Sequence, residues 1–160
     1  MQSSDLAPLL PAIALECQLR YPAEACGLIL SSASGGLRFA AIPNIAGTSA
    51  ASGTSSRTGR DGYVMDGPRL LAELEQAEST GGALVGIAHS HPDVGAYFSR
   101  EDREMALGGG LEPLWPGVDY LVVSCRAGRT DDARLYRWDP TRGDFLEEIL
   151  PMPRLANDES

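Results

Sequence analysis

Two histidines and an aspartate are the residues of this chain whose types and spacing are best suited to chemistry. His89 and His91 are its only histidines, and one residue separates them at the end of an apolar run. If that run is a strand, both imidazoles point to the same side, because side chains alternate with a period of two. Asp102 follows at the start of a predicted helix. Two nitrogens and a carboxylate, with the fourth position left to water, favour a catalytic zinc site over a structural one.

Each of these features also has an ordinary structural explanation. A histidine pair at a strand end is more often a surface feature than a pair of metal ligands. Ser99 and Asp102 alone form the pattern of a helix capping box, in which the aspartate also interacts favourably with the helix dipole. Capping does not explain why both histidines precede this pair at a fixed distance. Ser99 can both cap the helix and take part in catalysis.

The same residues resemble the signature of a known family. The segments 89–92 (HSHP) and 99–102 (SRED) match the pattern H-x-H-x(7)-S-x-x-D of the JAMM (MPN-plus) zinc metalloproteases. The segment 21–28 (YPAEACGL) resembles the upstream stretch of this family, in which a glutamate ahead of the first long strand is the general base. The order of predicted elements fits from about residue 9 to residue 150, so the resemblance covers nearly the whole chain.

The resemblance implies a role for each residue and a fold. His89, His91 and Asp102 would hold Zn²⁺. Glu24 would be the general base, and Ser99 would donate a hydrogen bond to the oxyanion. The implied fold is α/β (α+β) and JAMM/MPN-like, with a mixed central sheet, flanking helices and cytidine-deaminase-like layers. Without the resemblance, Glu24 would be interpreted as a solvated residue after a helix.

The resemblance also implies a class of substrate. Members of the family cleave isopeptide or peptide bonds after the C-terminal Gly-Gly of ubiquitin-like proteins, and small bacterial members act on ubiquitin-like or sulfur-carrier proteins. Whether the substrate is a conjugate or a precursor stays open. An extended tail could add a strand to an open sheet edge, and we expect residues 44–62 and 93–98 to border its groove. Tyr97 and Phe98 could cover the diglycine or belong to the core.

Two other classes of function remain as alternatives. Related domains without metal serve as scaffolds or binding modules, but they lack the ligands that this chain retains. A cysteine hydrolase that uses Cys26 is disfavoured, because this thiol lies in an apolar strand with no orienting partner. The odd number of cysteines, without a C-x-x-C pair, also argues against a disulfide framework or a cysteine-rich zinc site. We expect Cys17, Cys26 and Cys125 to be small buried residues.

Length and charge restrict the domain organisation and the partners. The 160 residues are 43% hydrophobic and 22% charged, which predicts one globular domain over 1–150 and a tail over 151–160. A net charge of −9 argues against partners such as nucleic acid or an anionic membrane. The chain has no apolar stretch of about 18 residues and no basic segment before its first apolar run, so we expect a cytoplasmic protein. The oligomeric state and the reason for the absence of lysine stay open.

Hydrophobic periodicity and turn residues predict the elements that must position these side chains. Helices are predicted at 9–20, 66–78 and 99–107, the second with Asp66 as its N-cap and the third with Ser99. Strands are predicted at 26–31, 37–42, 63–65, 83–89, 120–125, 133–138 and 144–150. Residues 44–62 contain little to bury and are predicted to form a long mobile loop.

Overall fold

A computed structural model describes residues 1–51 and 58–152 of the chain. Its helices are α1 (Ser3–Leu6), α2 (Leu10–Arg20), α3 (Gly67–Ser79) and α4 (Arg100–Leu107), with a 3₁₀ turn at Ser49–Ala51. Its strands are β1 (Cys26–Ser31), β2 (Leu37–Ile42), β3 (Leu84–Pro92), β4 (Asp119–Arg126), β5 (Arg129–Asp139) and β6 (Asp144–Leu150). The predicted tail 151–160 lies outside the described residues from position 153 onward.

The six strands form one mixed sheet in the order β2-β1-β3-β4-β5-β6. The β3–β4 pair is parallel and the other four pairs are antiparallel. A parallel pair needs a crossover connection, and the segment that contains α4 supplies it. The fold class predicted from the sequence, a mixed central sheet with flanking helices, is therefore confirmed.

Helices pack on both faces of the sheet. Alternate residues of each central strand enter different clusters: Leu121 and Val123 pack with α2, whereas Tyr120 and Val122 pack beside α4. A second cluster on the α4 side joins α3 to β1 and β2. Ile87 of β3, two residues before His89, packs against both this cluster and the one beside α4.

Most predicted elements are confirmed, with differences at residues 63–65 and in α1, β3 and β5. Residues 63–65 do not form the predicted strand, because Met65 makes only a single bridge with Asn44. The short helix α1 was not predicted. Strand β5 begins at Arg129 rather than 133, because Ala127 and Gly128 both adopt positive φ and make the tight turn that lets the polar residues 129–132 pair with β4.

No helix in the described part of the chain combines the length and the apolarity that crossing a bilayer requires. Within the predicted loop 44–62, the structure describes residues 44–51 and 58–62, and residues 52–57 lie outside the description.

Candidate metal centre

Strand β3 carries both histidines. It extends to Pro92, three residues past the predicted end, and its hydrogen-bonded register with β4 runs through His89, Ser90 and His91. The two imidazoles are two residues apart in extended backbone and lie on the same face. Both histidines are buried. The paired strand therefore holds them on one rigid element rather than on a loose strand end.

Helix α4 presents Asp102 to this pair from its first turn. Ser99 is the N-cap, and its Oγ accepts the Asp102 N–H at 3.0 Å. In return, Oδ2 of Asp102 accepts the Ser99 N–H at 2.8 Å. The Ser-x-x-Asp pattern is thus a complete capping box, and the same box fixes the direction of the carboxylate. Capping and a role in the site are not alternatives here.

The three side chains converge on one point. Nε2 of His89 lies 3.1 Å from Nε2 of His91 and 3.1 Å from Oδ1 of Asp102. Nε2 of His91 lies 3.3 Å from Oδ2 of Asp102. Bonds of about 2.0–2.1 Å to a tetrahedral ion separate its ligand atoms by about 3.3–3.4 Å. The donor types and the spacing both fit a zinc-like ion, and these three residues form a group of possible metal ligands among the described residues.

Burial and mutual contact shift the pKa values of the three groups. Burial lowers the pKa of His89 and so favours its neutral, ligating form. Burial also acts to lower the pKa of His91. The hydrogen bond and charge of Asp102 and the charge of Glu24 outweigh burial, so the pKa of His91 lies above its ordinary value. Burial opposes ionisation of Asp102, but hydrogen bonds with both imidazoles hold its pKa far below the usual range. The site is an anionic pocket that favours a cation.

One histidine has the second hydrogen bond that orients a metal ligand. Nδ1 of His91 lies 3.1 Å from the carbonyl oxygen of Gly95, which leaves Nε2 free to ligate. Nδ1 of His89 has no hydrogen-bond partner among the described residues. Its ring instead packs against Tyr63, at 4.9 Å between centroids.

Glu24 lies in the link before β1, next to the histidines. Cys26 pairs with His89 in the antiparallel β1–β3 register, so the same alignment two residues further brings Glu24 alongside His91. The N–H of Ala25 donates to Oγ of Ser90 at 2.8 Å, and the Ser90 N–H donates to the carbonyl of Ala25 at 2.9 Å. Only 7% of Glu24 is exposed. The residue is not the solvated glutamate that its sequence context alone would suggest.

A cleft of about 450 Å³ opens over the centre. Its lining includes Glu24, His91, Ser99 and Asp102, so four of the five predicted site residues share it, and His89 lies beneath. Tyr97 also lines the cleft, is half exposed, and meets the His91 ring edge-on.

The structure separates the roles of the two adjacent aromatic residues. Phe98 stacks on Tyr136 at 4.9 Å and packs against Tyr120 and Phe145, in the core. Tyr97 borders the cleft and Phe98 does not. Of the segments expected to border the groove, residues 60–62 of the loop 44–62 and Val94 and Tyr97 of 93–98 line the cleft.

Three residues that support the site were not identified from the sequence. Ser90 ties β3 to the residue after Glu24. Asp93 accepts hydrogen bonds from Tyr21, from Arg60 and from the Ala127 N–H, and so connects the end of β3 to the cleft rim. Asn44 contacts the backbone of Glu24. The contacts named here join residues that are 20 to 72 positions apart, and no local pattern in the sequence marks them.

Cys26 does not have the environment of a nucleophile. Burial raises its pKa to about 12, and the charge of Glu24 acts in the same direction. Its thiol donates to the carbonyl of Ile42 at 3.4 Å. All three cysteines are free and buried, as expected from the sequence.

The fold and the site together define a class. A mixed sheet with His-x-His on a central strand, Asp on the next helix and a buried glutamate before the first strand is the arrangement of a JAMM/MPN domain with a candidate metal centre. A family model described as prokaryotic homologues of the JAB domain matches residues 6–139. The chain belongs to this family, which confirms the resemblance found in the sequence.

One protein of known activity and two solved structures are similar to this chain. A desampylase of Haloferax volcanii is 31% identical over 128 residues, which cover 79% of this chain and 76% of the relative. A solution structure of a Salinibacter ruber protein is 29% identical with a TM-score of 0.57, and the match covers 92% of this chain and 89% of that protein. A solution structure of a Desulfitobacterium hafniense protein shares the fold, at 19% identity and a TM-score of 0.61, over 97% and 93% of the two chains.

Proposed function

We propose that this protein is a zinc-dependent isopeptidase or processing peptidase. Its substrate would be a ubiquitin-like or sulfur-carrier protein, and the bond cleaved would follow the C-terminal Gly-Gly. The observation that carries the proposal is the convergence of His89, His91 and Asp102 at the base of a cleft that also contains Glu24 and Ser99. The relationship to a desampylase, which acts on the isopeptide bond of a ubiquitin-like modifier, supports the substrate class.

The proposed ligands suit zinc by their chemistry. Two imidazole nitrogens and one carboxylate oxygen are a typical ligand set for catalytic zinc, in which the fourth position would be left to water. When bound, Zn²⁺ would supply a Lewis acid that makes water nucleophilic near neutral pH and polarises the scissile carbonyl. Strand β3 and the α4 capping box hold the three proposed ligands within contact distance of one another.

Glu24 would move the proton. Glu24 lines the same cleft as His91 and Asp102 and is not one of the three converging residues. A carboxylate in that place can accept the proton of the attacking water and pass it to the leaving amine. Glu24 would therefore act twice in a turnover, once as base and once as acid.

Ser99 would stabilise the oxyanion. Its Oγ already accepts the Asp102 N–H, so its one hydroxyl proton stays available for donation into the cleft. The negative charge that develops on the substrate carbonyl oxygen needs such a donor. The capping bond restricts the hydroxyl, which lowers the reorganisation needed during the reaction.

The shape and charge of the cleft fit an extended, glycine-rich tail. Four carboxylate residues line it, together with Arg60, and Tyr97 stands at its rim. A tail that ends in glycines has no side chains there, so its backbone can pass close to the Tyr97 ring without a steric clash. The unpaired cysteines and the net charge of −9 support a cytoplasmic protein with a protein substrate rather than nucleic acid.

The test uses purified, zinc-loaded protein and two probes. One is a ubiquitin-like protein joined through its C-terminal glycine to a lysine side chain, and the other is the same protein extended by a peptide. Wild type should cleave after Gly-Gly, should lose activity to a chelator and should contain one equivalent of zinc. Glu24→Gln should lower kcat by at least about 10²-fold while keeping the zinc, because a proton-transfer group is lost and no ligand is.

Controls separate this proposal from its alternatives. Glu104→Gln removes a carboxylate on the exposed face of α4 and should leave kcat unchanged. A probe ending in Ala-Ala should resist cleavage. Wild type that binds no zinc would instead support a metal-free scaffold or binding module. Activity that survives chelation and is lost on alkylation of Cys26 would support the cysteine alternative.

A further inference from the structure

Asn44 connects Glu24 to the wall of the cleft. It lies two residues after β2, and its side-chain nitrogen donates to the carbonyl oxygen of Glu24 at 3.0 Å. The same nitrogen lies within hydrogen-bond distance of the carbonyl oxygens of Gly62, at 3.2 Å, and Gly59, at 3.4 Å. One amide group therefore contacts the backbone of the proposed base and of the loop that borders the cleft.

The amide oxygen of Asn44 binds backbone groups of the segments that follow Asn44 and the cleft residues 60–63. It accepts the N–H of Ala46 and the N–H of Val64, each at 3.0 Å. The donors and the acceptor of this side chain are all used on backbone groups, and the residue is half-buried. Residues 60–63, between these contacts, line the cleft.

Glu24 depends on such contacts because its own backbone is in neither a helix nor a strand. Its N–H donates to the carbonyl of Gly59 at 2.6 Å, and that carbonyl also contacts Asn44. Asn44 thus bonds to Glu24 directly and also to the partner of Glu24. On the other side, the exchange of hydrogen bonds between Ala25 and Ser90 ties the chain to β3.

We propose that Asn44 is a positioning residue for Glu24. Its side-chain nitrogen holds the backbone of Glu24 in place, and the position of the backbone determines where the Glu24 carboxylate lies relative to the metal centre. The inference rests on the proposed function, because it takes Glu24 to be the proton-transfer group. A displacement of about 1 Å at such a group costs on the order of 10²-fold in rate, so a bond that fixes its backbone matters to kcat.

The decisive variant is Asn44→Asp. The aspartate keeps an oxygen that accepts from Ala46 and Val64, but it has no hydrogen to donate to Glu24. We expect one equivalent of zinc, a kcat reduced about 10²-fold and a KM within about threefold of wild type. Thr48→Ala is the matched control, since it removes another loop hydrogen bond, from Thr48 to the carbonyl of Ile45, and should leave kcat unchanged.

A double-mutant cycle separates positioning from general damage. If Asn44 acts through Glu24, Asn44→Asp should change kcat by less than about threefold in the Glu24→Gln background. An equal loss of kcat in both backgrounds would overturn the proposal. So would a wild-type kcat in the folded Asn44→Asp protein.

A second measurement needs no substrate and no metal. Hydrogen exchange of the Glu24 amide, followed by NMR in the metal-free protein, should become at least about tenfold faster in Asn44→Asp and Asn44→Ala, while the amides of β3 keep their protection. Unchanged Glu24 protection in both variants contradicts the proposal. If wild type cleaves no ubiquitin-like probe, the proposed function fails, and this measurement alone decides whether Asn44 holds Glu24.

Discussion

At the scale of single residues, Asp102 performs two tasks with two oxygens. Oδ2 accepts the Ser99 N–H of the capping box, and Oδ1 and Oδ2 approach the two imidazoles. The helix N-terminus and the histidines both favour the ionised carboxylate, which explains why the pKa of Asp102 lies so far below its usual range despite burial. These contacts therefore favour the anionic form of Asp102, which is the form that would bind a cation.

Ser99 caps α4 and is also the proposed oxyanion donor, and a substitution can separate these two roles. Ser99→Ala should lower kcat by about 10²–10³-fold, because a donor to the oxyanion is lost. It should also cost about 1 kcal/mol of unfolding free energy, because the helix loses its cap. Steady-state kinetics and urea unfolding measure the two effects on the same preparation.

The control for this prediction is another N-cap. Asp66 caps α3 by accepting the Arg69 N–H at 2.9 Å, and it is not part of the cleft lining. Asp66→Ala should lose a similar free energy of unfolding and keep wild-type kcat. Equal kinetic losses in both variants would mean that Ser99 has only a structural role.

At the scale of elements, the length of β3 decides how firmly the histidines are held. The apolar run 83–89 predicts this strand only to residue 89, because the Ser-His-Pro that follows is not apolar. Its pairing with β4 nevertheless continues to Pro92 and Cys125. The polar side chains of the candidate site interrupt the apolar pattern at the end of β3. The sequence therefore predicts a strand that is shorter than the one observed.

Ser90 gives the clearest stability prediction among these elements. It is fully buried, and its Oγ accepts the Ala25 N–H at 2.8 Å. Ser90→Ala leaves that N–H unpaired, and we expect a loss of about 1–3 kcal/mol in urea unfolding. Ser31→Ala removes an analogous acceptor of the Ala83 N–H at an exposed position, and water can replace it. A loss in Ser31→Ala as large as in Ser90→Ala would contradict this account.

The edge strand β6 gives a pH prediction. Hydrogen bonds from Tyr136 and Arg134 lower the pKa of Glu147, and those from Ser3 and Arg137 lower the pKa of Glu148, from an ordinary value of 4.5. As the pH falls through about 4.5, the unfolded chain takes up these protons before the folded one, so stability present above this range is lost.

This loss should appear in urea unfolding of the metal-free protein between pH 6 and pH 3. The Glu147→Gln/Glu148→Gln double variant should show a shallower dependence on pH. Both side chains are exposed, so added salt should weaken the effect. A double variant with the same slope as wild type would show that these pairs do not carry the dependence.

At the scale of the whole molecule, the sequence predicts what is local and misses what is distant. His89, His91, Ser99 and Asp102 lie within one short stretch, and a spacing pattern identifies them. Glu24 is identified only by resemblance to a family, because 65 residues separate its neighbour Ala25 from Ser90. No periodicity encodes contacts of that range, which exist only after the sheet has formed. Asn44 was missed for the same reason, because its contact with Glu24 also forms only in the folded protein.

The centre joins two elements of the fold, so an ion bound there should stabilise the whole molecule. Two of the proposed ligands lie on β3 and one lies on α4, and an unfolded chain does not bring them together. Binding to the folded state alone stabilises it by about 2.7 kcal/mol when the free ion is at 100 times its Kd. For a chain of this size, about 2–4 °C per kcal/mol gives a rise in Tm of roughly 5–11 °C.

Thermal unfolding followed by circular dichroism measures this rise. The Tm of protein stripped with a chelator should be roughly 5–11 °C below the Tm of the same protein with added zinc. Asp102→Asn keeps a side chain of nearly the same shape but removes the anionic ligand, so its Tm should respond little to zinc. Glu24→Gln keeps all three ligands and should respond like wild type. An Asp102→Asn protein that gains as much as wild type would place the ion elsewhere and separate the capping box from the metal.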